Sequence, residues 1–353
     1  MTRLVVVQTA FLGDVVLTTP LLRELRRANP GARISVVATP VGAEALRGHP
    51  AVDEIHVLDK KGRDRGPLAL FRIAGKVRGA GAAVAAQRSF RTGLLLRLAG
   101  ARRRVGFEGA AGAWAYTDEV PWKATEHAVR RYLELAGPLG GDPDVADPRP
   151  ELAVLDGSRD RVAGLLEAER IPREARVVAV APGSIWGTKR WLPEGFAEVI
   201  RGAAGRGTTP ILVGSAGERA LCEEIGGAAG VRPAILAGRL PIPELAALLE
   251  RAEALVTNDS GSGHVASAVG TPVVSIFGPT VPAFGYSPFG KENRIVERAG
   301  LECRPCHHHG PERCPLGHFR CMREIEAKDV LEALDAVIAA SRGRARSGSD
   351  GQR

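Results

Sequence analysis

The sequence contains few aromatic residues and few cysteines, and it has no long apolar run. Because no stretch of about 18 consecutive apolar residues occurs, a membrane-spanning helix is not expected. The first residues, Met-Thr-Arg before a short Val-rich strand, lack the layout of a secretory signal peptide. We therefore expect a protein that is made and kept in the cytoplasm.

The composition and motifs argue against two functional classes, nucleic-acid-binding proteins and dehydrogenases. A net charge of +8 suits phosphorylated substrates, anionic membrane faces or nucleic acid, and does not choose among them. With three Tyr, four Trp and no RNA-binding signature, nucleic acid is not an expected partner. Gly79-Ala-Gly81 follows a helix, precedes a strand and lacks a third glycine, so no dinucleotide-binding fingerprint supports a dehydrogenase.

At 353 residues the chain exceeds the usual size of a single hydrophobic core, so two domains are expected. Buried strands alternate with helices in both halves, which predicts an α/β fold with mostly parallel sheets. The predicted strands are 4–8, 33–38, 54–58, 82–86 and 105–107, then 177–181, 210–214, 234–236, 254–256 and 273–277. The predicted helices include 15–28, 90–98, 127–136 and 327–340.

Glycine and proline break this periodicity between residues 137 and 150, which marks a domain boundary. We therefore expect two Rossmann-like, doubly wound domains, 1–150 and 151–341, that face each other across a cleft. The Gly-, Ser- and Arg-rich residues 342–353 are expected to form a disordered tail.

The stretch from Ala254 to Thr280 reads as a strand, a Gly-rich turn, a small-residue helix and a second strand. In such a unit the turn opens on the carboxyl edge of the sheet, where the helix presents unpaired N–H groups. Asp259, Ser260, Gly261 and His264 are therefore candidates for an anion or nucleotide-sugar cradle. The alternative is a tight turn with an N-cap.

Three further strand ends carry candidate chemistry. Asp14 follows the first strand and is either a general base or the N-cap of the helix at 15–28. After the strand at 177–181, a loop with Ser184, Thr188 and Lys189 supplies hydroxyls and a cation for a diphosphate, unless it is simply a surface turn. Glu218 either accepts hydrogen bonds from a ribose or stabilises a helix N-terminus.

Four of the five cysteines are clustered as Cys303-x2-Cys306-x7-Cys314-x6-Cys321. Four thiols at these spacings are candidate ligands of a tetrahedral structural zinc ion, which would leave no open position for catalysis. Free thiols or an occasional disulfide are the alternatives.

Together these motifs resemble glycosyltransferase family 9, the ADP-heptose:lipopolysaccharide heptosyltransferases, and within it the heptosyltransferase II group. The matching stretches are Phe11-Leu-Gly-Asp14, Ala181-Pro-Gly-Ser184 with Lys189-Arg-Trp191, Thr257-Asn-Asp-Ser-Gly-Ser-Gly-His264 and Cys314-Pro-Leu-Gly-His-Phe-Arg-Cys-Met322. The resemblance extends over residues 3–340, but Ser262 stands where family members usually carry a bulkier residue.

The resemblance implies a GT-B fold, in which the first domain binds the acceptor and the second binds ADP-heptose. It implies inverting, metal-independent heptose transfer to the lipopolysaccharide inner core, most closely addition of the second heptose. Asp14 matches the catalytic base, and Lys189 matches the lysine that binds the donor diphosphate. The residues that match the remaining donor contacts are Ser184 or Thr188, Glu218, Asp259, Ser260, Gly261 and His264.

Acceptor contacts are expected on N-terminal loops, at Gly13, Arg63, Arg88 and Arg91. The implied partners are an ADP-sugar, a lipid A-linked core oligosaccharide and the anionic cytoplasmic face of the inner membrane, with no cofactor required. The alternatives are a family member with another donor or acceptor glycan, and a non-catalytic nucleotide-sugar-binding module. The presence of both Asp14 and Lys189 argues against the binding module, which needs neither a base nor leaving-group stabilisation.

Overall fold

A computed structural model describes residues 3–350, except for the side chains of Pro67 and of residues 343–350. The chain divides into two compact units, the first ending at Ala153 and the second beginning at Val154. The division lies close to the boundary at residue 150 that the Gly- and Pro-rich stretch predicts.

The first unit contains a six-stranded parallel sheet in the order β3-β2-β1-β4-β5-β6. Its strands are β1 (Arg3–Gln8), β2 (Arg33–Ala38), β3 (Glu54–Val57), β4 (Ala82–Ala85), β5 (Arg103–Phe107) and β6 (Asp118–Val120). Its helices are α1 (Leu12–Leu17), α2 (Thr19–Ala28), α3 (Pro40–Ala45), α4 (Pro67–Lys76), α5 (Phe90–Leu98) and α6 (Ala128–Glu134).

The second unit contains another six-stranded parallel sheet, in the order β12-β11-β10-β7-β8-β9. Its strands are β7 (Val177–Ala181), β8 (Thr209–Leu212), β9 (Ala234–Ile235), β10 (Ala254–Asn258), β11 (Val273–Phe277) and β12 (Arg294–Glu297). Its helices are α7 (Asp156–Ala168), α8 (Pro193–Gly205), α9 (Arg219–Ala228), α10 (Ile242–Arg251), α11 (Gly261–Ala268), α12 (Arg320–Arg323) and α13 (Ala327–Asp350). Numbered within each unit, the two sheets have the same strand order.

The central strands are short apolar runs because helices cover both faces of a parallel sheet. Every residue of β4, β7, β10 and β11 is buried. Sequence analysis predicted these strands and missed the edge strands β6 and β12. Both are short and carry charged side chains, so they lack the apolar run that identifies a buried strand.

The structure corrects two helix predictions. The helix expected at 15–28 is two helices, because Pro20 has no N–H to donate to the carbonyl of Val16; the Thr19 hydroxyl donates to that oxygen instead, at 2.8 Å. The last helix was expected to end at Ala340 but continues to Asp350, and Arg342 donates to Glu253 at 2.7 Å. The predicted disordered tail is therefore helical from 342 to 350, and residues 351–353 lie outside the described residues.

Candidate functional site

Each unit has a topological switch point, where connections leave two neighbouring strands in opposite directions. In the first unit this point lies between β1 and β4, and in the second between β7 and β10. Open parallel sheets bind ligands at the carboxyl ends of the strands on either side of such a point. The loops after these four strands carry Asp14, Arg88, Lys189 and Asp259.

In the first unit, Asp14 lies in the first turn of α1 and not at its N-cap. The N-cap position is occupied by Phe11, which makes no side-chain cap, so the N-cap interpretation of Asp14 is wrong. The Asp14 side chain instead accepts a hydrogen bond from the Tyr132 hydroxyl, with an O–O distance of 2.8 Å. Gly13 beside it is buried.

Tyr132 is a component of this site that sequence analysis missed. It lies on α6 and is only 3% exposed. Its ring and that of Trp122 both contact Phe107, with centroid distances of 6.4 and 4.8 Å. The guanidinium of Arg131, which is also buried, lies 4.5 Å from the centre of the Trp122 ring. The Asp14 carboxylate is thus held by a hydroxyl that is itself fixed in an aromatic cluster.

The three arginines expected to bind an acceptor lie in two groups. Arg63 and Arg91 both approach Asp64, Arg63 at 3.8 Å from the carboxylate and Arg91 donating to its carbonyl at 3.1 Å. Arg88 instead lies 4.8 Å from the centre of the Trp122 ring and donates to the carbonyl of Gly109.

Asp64 is the anion that organises the first group. Burial alone would raise the pKa of Asp64, but hydrogen bonds from the Asp59 N–H and Arg72 and the charges of Arg72 and Arg63 lower it below its usual value. Asp64 therefore stays ionised and holds Arg72 and Arg63 near its carboxylate, while Arg91 is held by its backbone carbonyl.

In the second unit, Lys189 and Asp259 form a nearly buried ion pair across the switch point. The Lys189 Nζ lies 2.5 Å from Asp259 Oδ2, and the Thr280 hydroxyl donates to the same oxygen at 2.7 Å. The side chains of Lys189 and Asp259 are only 14% and 10% exposed. The pair joins the loop after β7 to the loop after β10, so it fixes a cation where an anionic ligand is expected.

Asn258, at the end of β10, fixes the shape of the loop after β7. Its carboxamide oxygen accepts from the Trp191 N–H at 3.0 Å, and its amide nitrogen donates to the Pro182 carbonyl at 2.7 Å. Both ends of the loop are thereby hydrogen-bonded to the one buried side chain of Asn258. A loop that positions ligand-binding groups needs such bonds, whereas a surface turn does not.

The two candidate hydroxyls in that loop differ in their surroundings. Thr188 donates to the carbonyl of Pro311 through both its hydroxyl and its backbone N–H. Ser184 is 5% exposed, and its carbonyl accepts from Arg190 at 2.8 Å. Arg190 therefore orients the backbone at Ser184, whereas the Thr188 hydroxyl is engaged by a distant segment of the same unit.

The loop after β10 leads directly into α11. Ser260 occupies the N-cap position without a side-chain cap, because its hydroxyl lies 3.0 Å from that of Thr257. Gly261 is the first helical residue, and His264 lies one turn later with 6% exposure.

Glu218 has the helix-stabilising role that sequence analysis considered. Its carboxylate accepts from the N–H and the hydroxyl of Ser215, at 2.7 and 2.9 Å, in a capping box. The same carboxylate lies directly against Gly183, where a Cβ atom would collide with it. Glu218 therefore borders the loop that carries Ser184.

The cysteine-rich segment packs against the Lys189 loop. Among residues 3–350, no group of three or more His, Cys, Asp or Glu side chains is arranged to hold a metal ion, so the structure gives no support to the candidate zinc ligands Cys303, Cys306, Cys314 and Cys321. Cys321 is buried in the hydrophobic core, and burial, with smaller contributions from the neighbouring Cys306, Cys314 and Cys303 thiols, raises its pKa to about 11. The segment contributes the Pro311 carbonyl, which accepts from Thr188, and a Cβ atom at Gly310 would lie only 3.2 Å from the side chains of Lys189 and Thr188.

A model of glycosyltransferase family 9 (heptosyltransferase) matches residues 71–315, which is more than half of the sequence. The chain belongs to glycosyltransferase family 9. It is therefore a glycosyltransferase of the heptosyltransferase family, as the resemblance of its motifs predicted.

Its curated relatives are lipopolysaccharide heptosyltransferases of three types. Lipopolysaccharide heptosyltransferase 1 of Pseudomonas aeruginosa is 30% identical, over 86% of this chain and 86% of that protein. Lipopolysaccharide heptosyltransferases 2 and 3 of Escherichia coli are each 26% identical, over 95% and 92% of this chain and 98% and 95% of theirs. The similar identities do not distinguish the three types.

Solved structures confirm the fold of this glycosyltransferase. A family 9 glycosyltransferase from Veillonella parvula aligns with a TM-score of 0.86 at 23% identity, covering 96% of this chain and 98% of that one. ADP-heptose lipopolysaccharide heptosyltransferase II of E. coli aligns with a TM-score of 0.78 at 24% identity, covering 97% and 100%. The protein therefore has the predicted GT-B fold, with two Rossmann-like domains. Within residues 3–350, no helix is long and apolar enough to cross a membrane.

Proposed function

We propose that this enzyme transfers heptose from ADP-L-glycero-D-manno-heptose to heptosyl-Kdo-lipid A, adding the second heptose of the lipopolysaccharide inner core. Membership of the heptosyltransferase family supports the reaction class. The observation that carries the donor assignment is the Lys189–Asp259–Thr280 cluster, a fixed cation at a switch point. The solved relatives include E. coli heptosyltransferase WaaC with ADP, with a TM-score of 0.72 at 19% identity over 95% of this chain and all of that one.

In the proposed reaction an acceptor hydroxyl attacks the anomeric carbon of heptose from the face opposite the diphosphate. The new C–O bond forms as the bond to the diphosphate breaks, so the configuration inverts and ADP leaves with the bonding electrons. Asp14 takes the proton of the attacking hydroxyl, and the Tyr132 hydroxyl orients the carboxylate for this. No step requires a metal ion, since Lys189 neutralises the charge that grows on the leaving diphosphate.

The donor is bound by side chains and N–H groups of the second unit. The N-terminus of α11, at Ser260 and Gly261, is suited to a phosphate because its N–H groups have no partner within the helix. Ser184 is a better candidate than Thr188 for the phosphate hydroxyl, because the Thr188 hydroxyl donates to Pro311. We assign Glu218 to the ribose, and Asp259 and His264 to the donor-sugar loop.

The acceptor is assigned to the first unit, at Gly13, Arg63, Arg88 and Arg91. The guanidinium groups suit the phosphates and carboxylates of a lipid A-linked core oligosaccharide. Such an acceptor implies that the enzyme works in the cytoplasm as a peripheral protein at the inner-membrane face. The relatives of types 1 and 3 support one alternative, a family member that uses another heptose acceptor.

The test is mass spectrometry of the lipid product after incubation with ADP-heptose and monoheptosylated Kdo-lipid A, in EDTA and beside Asp14→Ala. A gain of one heptose that the variant does not produce is the expected result. No product from the parent, with ADP-heptose still bound, would redirect the search to Kdo-lipid A and longer cores as acceptors. Loss of activity in EDTA would refute metal independence.

A further inference from the structure

The basic charge of this protein is concentrated in one part of the first unit. Between residues 60 and 104 the sequence has thirteen Lys and Arg residues and one acidic residue, Asp64. This segment has a formal charge of +12, whereas the whole chain has +8, so the remaining residues are net negative. The segment contains α4 and α5 and the loop that leads into α4.

Helix α4 carries apolar side chains on both of its faces. Leu70 and Ile73 point inward and are buried in the core beneath the helix. Leu68 and Phe71 point outward and are 80% and 57% exposed. The outer face of a surface helix is normally polar. Two large apolar side chains on that face lower the solubility of the protein unless a partner covers them.

A second exposed apolar pair joins the start of α5, which packs against α4, to the short helical turn Ala113–Ala115, which packs against α5. Phe90 and Trp114 are 56% and 55% exposed, and their ring centroids are 5.6 Å apart. Asp64 ties the two helices together, since its carboxylate accepts from Arg72 of α4 at 2.5 Å and its carbonyl accepts from Arg91 of α5. The two apolar pairs therefore lie on adjacent, linked elements.

We define the α4–α5 face as Leu68, Phe71, Phe90 and Trp114 with the exposed cations Lys61, Arg65, Arg72 and Lys76. We propose that this face docks on an anionic lipid bilayer. Leucine, phenylalanine and tryptophan enter the boundary between headgroups and acyl chains, while the cations contact anionic headgroups. A second copy of the chain fits poorly, because two such faces would bring like charges together.

This inference rests on the proposed function only in one respect, that a lipid-linked acceptor requires the enzyme to reach a membrane. The Leu68 and Phe71 side chains are separate from the residues assigned to catalysis, donor binding and acceptor binding. Their replacement should therefore weaken transfer to acceptors embedded in vesicles and leave transfer to a deacylated, water-soluble acceptor unchanged.

The experiment is flotation of the full-length protein with vesicles of phosphatidylcholine, with or without phosphatidylglycerol. We expect binding only when phosphatidylglycerol is present, and weaker binding at high salt. The double variant Leu68→Glu/Phe71→Glu should bind at least about ten-fold more weakly. The matched control, Val145→Glu/Leu316→Glu, adds the same charge at positions that are 71% and 63% exposed and should bind like the parent.

Failure of the parent to bind phosphatidylglycerol vesicles, or equal loss in both double variants, would overturn the proposal. So would conversion of an oligomer to a monomer by Leu68→Glu/Phe71→Glu with vesicle binding intact, because the face would then cover a second copy. Circular dichroism confirms that each variant folds. Vesicle binding can follow the expected pattern while neither the parent nor any variant transfers heptose to the soluble acceptor. In that case the proposed function is refuted, and the docking face is still supported.

Discussion

The two units share one strand order but place different chemistry at their switch points. In the first unit the Asp14 carboxylate accepts from a neutral hydroxyl, that of Tyr132. In the second unit the Asp259 carboxylate contacts the Lys189 ammonium, and the pair is nearly buried. A carboxylate oriented by a hydroxyl can still exchange a proton, whereas one paired with an ammonium holds that cation in place. Identical topology thus accommodates the proton-transfer role proposed for Asp14 in one unit and the anion-binding role proposed for Lys189 in the other.

The largest expected effect separates these roles. Asp14→Asn keeps the shape of the side chain and removes the base, so we expect kcat to fall about 10³-fold with ADP affinity unchanged. Lys189→Met should weaken ADP binding by more than about ten-fold and also lower kcat, because its charge acts on bound and leaving diphosphate alike. Calorimetry with ADP and single-turnover kinetics measure both variants. A loss of ADP affinity in Asp14→Asn would contradict the division of roles.

Acidification should distinguish the stabilities of the two units. Burial, opposed by the charge of Glu151 and aided by that of Arg23, lowers the pKa of His49 in the first unit from 6.5 to about 4. Between those pH values the unfolded chain binds a proton that the folded unit does not, so stability falls as the pH falls. The first unit should lose about 3 kcal/mol from pH 7 to pH 4.

Hydrogen exchange followed by mass spectrometry, resolved by unit, tests this. His49→Asn keeps an acceptor for the Ala51 N–H and should remove the contribution of His49 to the pH dependence of the first unit, leaving that of His56, whose pKa burial also lowers. An unchanged pH dependence in His49→Asn would assign the acid sensitivity to other groups.

The sequence was sufficient to predict the two parallel sheets, because runs such as Val177–Ala181 and Val273–Phe277 are short, apolar and regularly spaced between helical segments. It also located Asp14, Lys189 and Asp259, because each follows a buried strand where parallel sheets bind ligands. It did not reveal Tyr132 or Thr280. Tyr132 is 118 residues from Asp14, and an apolar-flanked tyrosine on a helix has the pattern of a core residue. Only the folded chain brings such partners together.

The Lys189–Asp259 ion pair should stabilise the second unit, and a bound anion should be able to replace the charge of Asp259. Asp259→Asn leaves the Lys189 ammonium without its counter-charge in a site that is 14% exposed. We expect a loss of about 2 kcal/mol of unfolding free energy, less than the roughly 3–5 kcal/mol of a fully buried pair. Because diphosphate can supply the missing charge, saturating ADP should raise the melting temperature of this variant more than that of the parent.

Glu223→Gln is the matched control for this prediction, because it removes an exposed ion pair with Arg219 in the same unit. It should change neither stability nor the response to ADP. An equal ADP response in Asp259→Asn and the parent would indicate that Lys189 does not contact the diphosphate.

The smallest expected effect concerns the hydroxyl that holds the base. Tyr132→Phe removes the hydrogen bond to Asp14 and keeps the ring within its aromatic cluster. A donor to a carboxylate stabilises its ionised form, so its removal should lower kcat about ten-fold and move the acid limb of the pH–rate profile to higher pH. Tyr116→Phe is the matched control, because it removes another buried hydroxyl of the first unit, one that makes no hydrogen bond to any described residue. A purely structural role for Tyr132 would lower the stability of Tyr132→Phe and leave its pH profile like those of Tyr116→Phe and the parent, whereas a shift confined to Tyr132→Phe requires that the hydroxyl act on Asp14 during proton transfer.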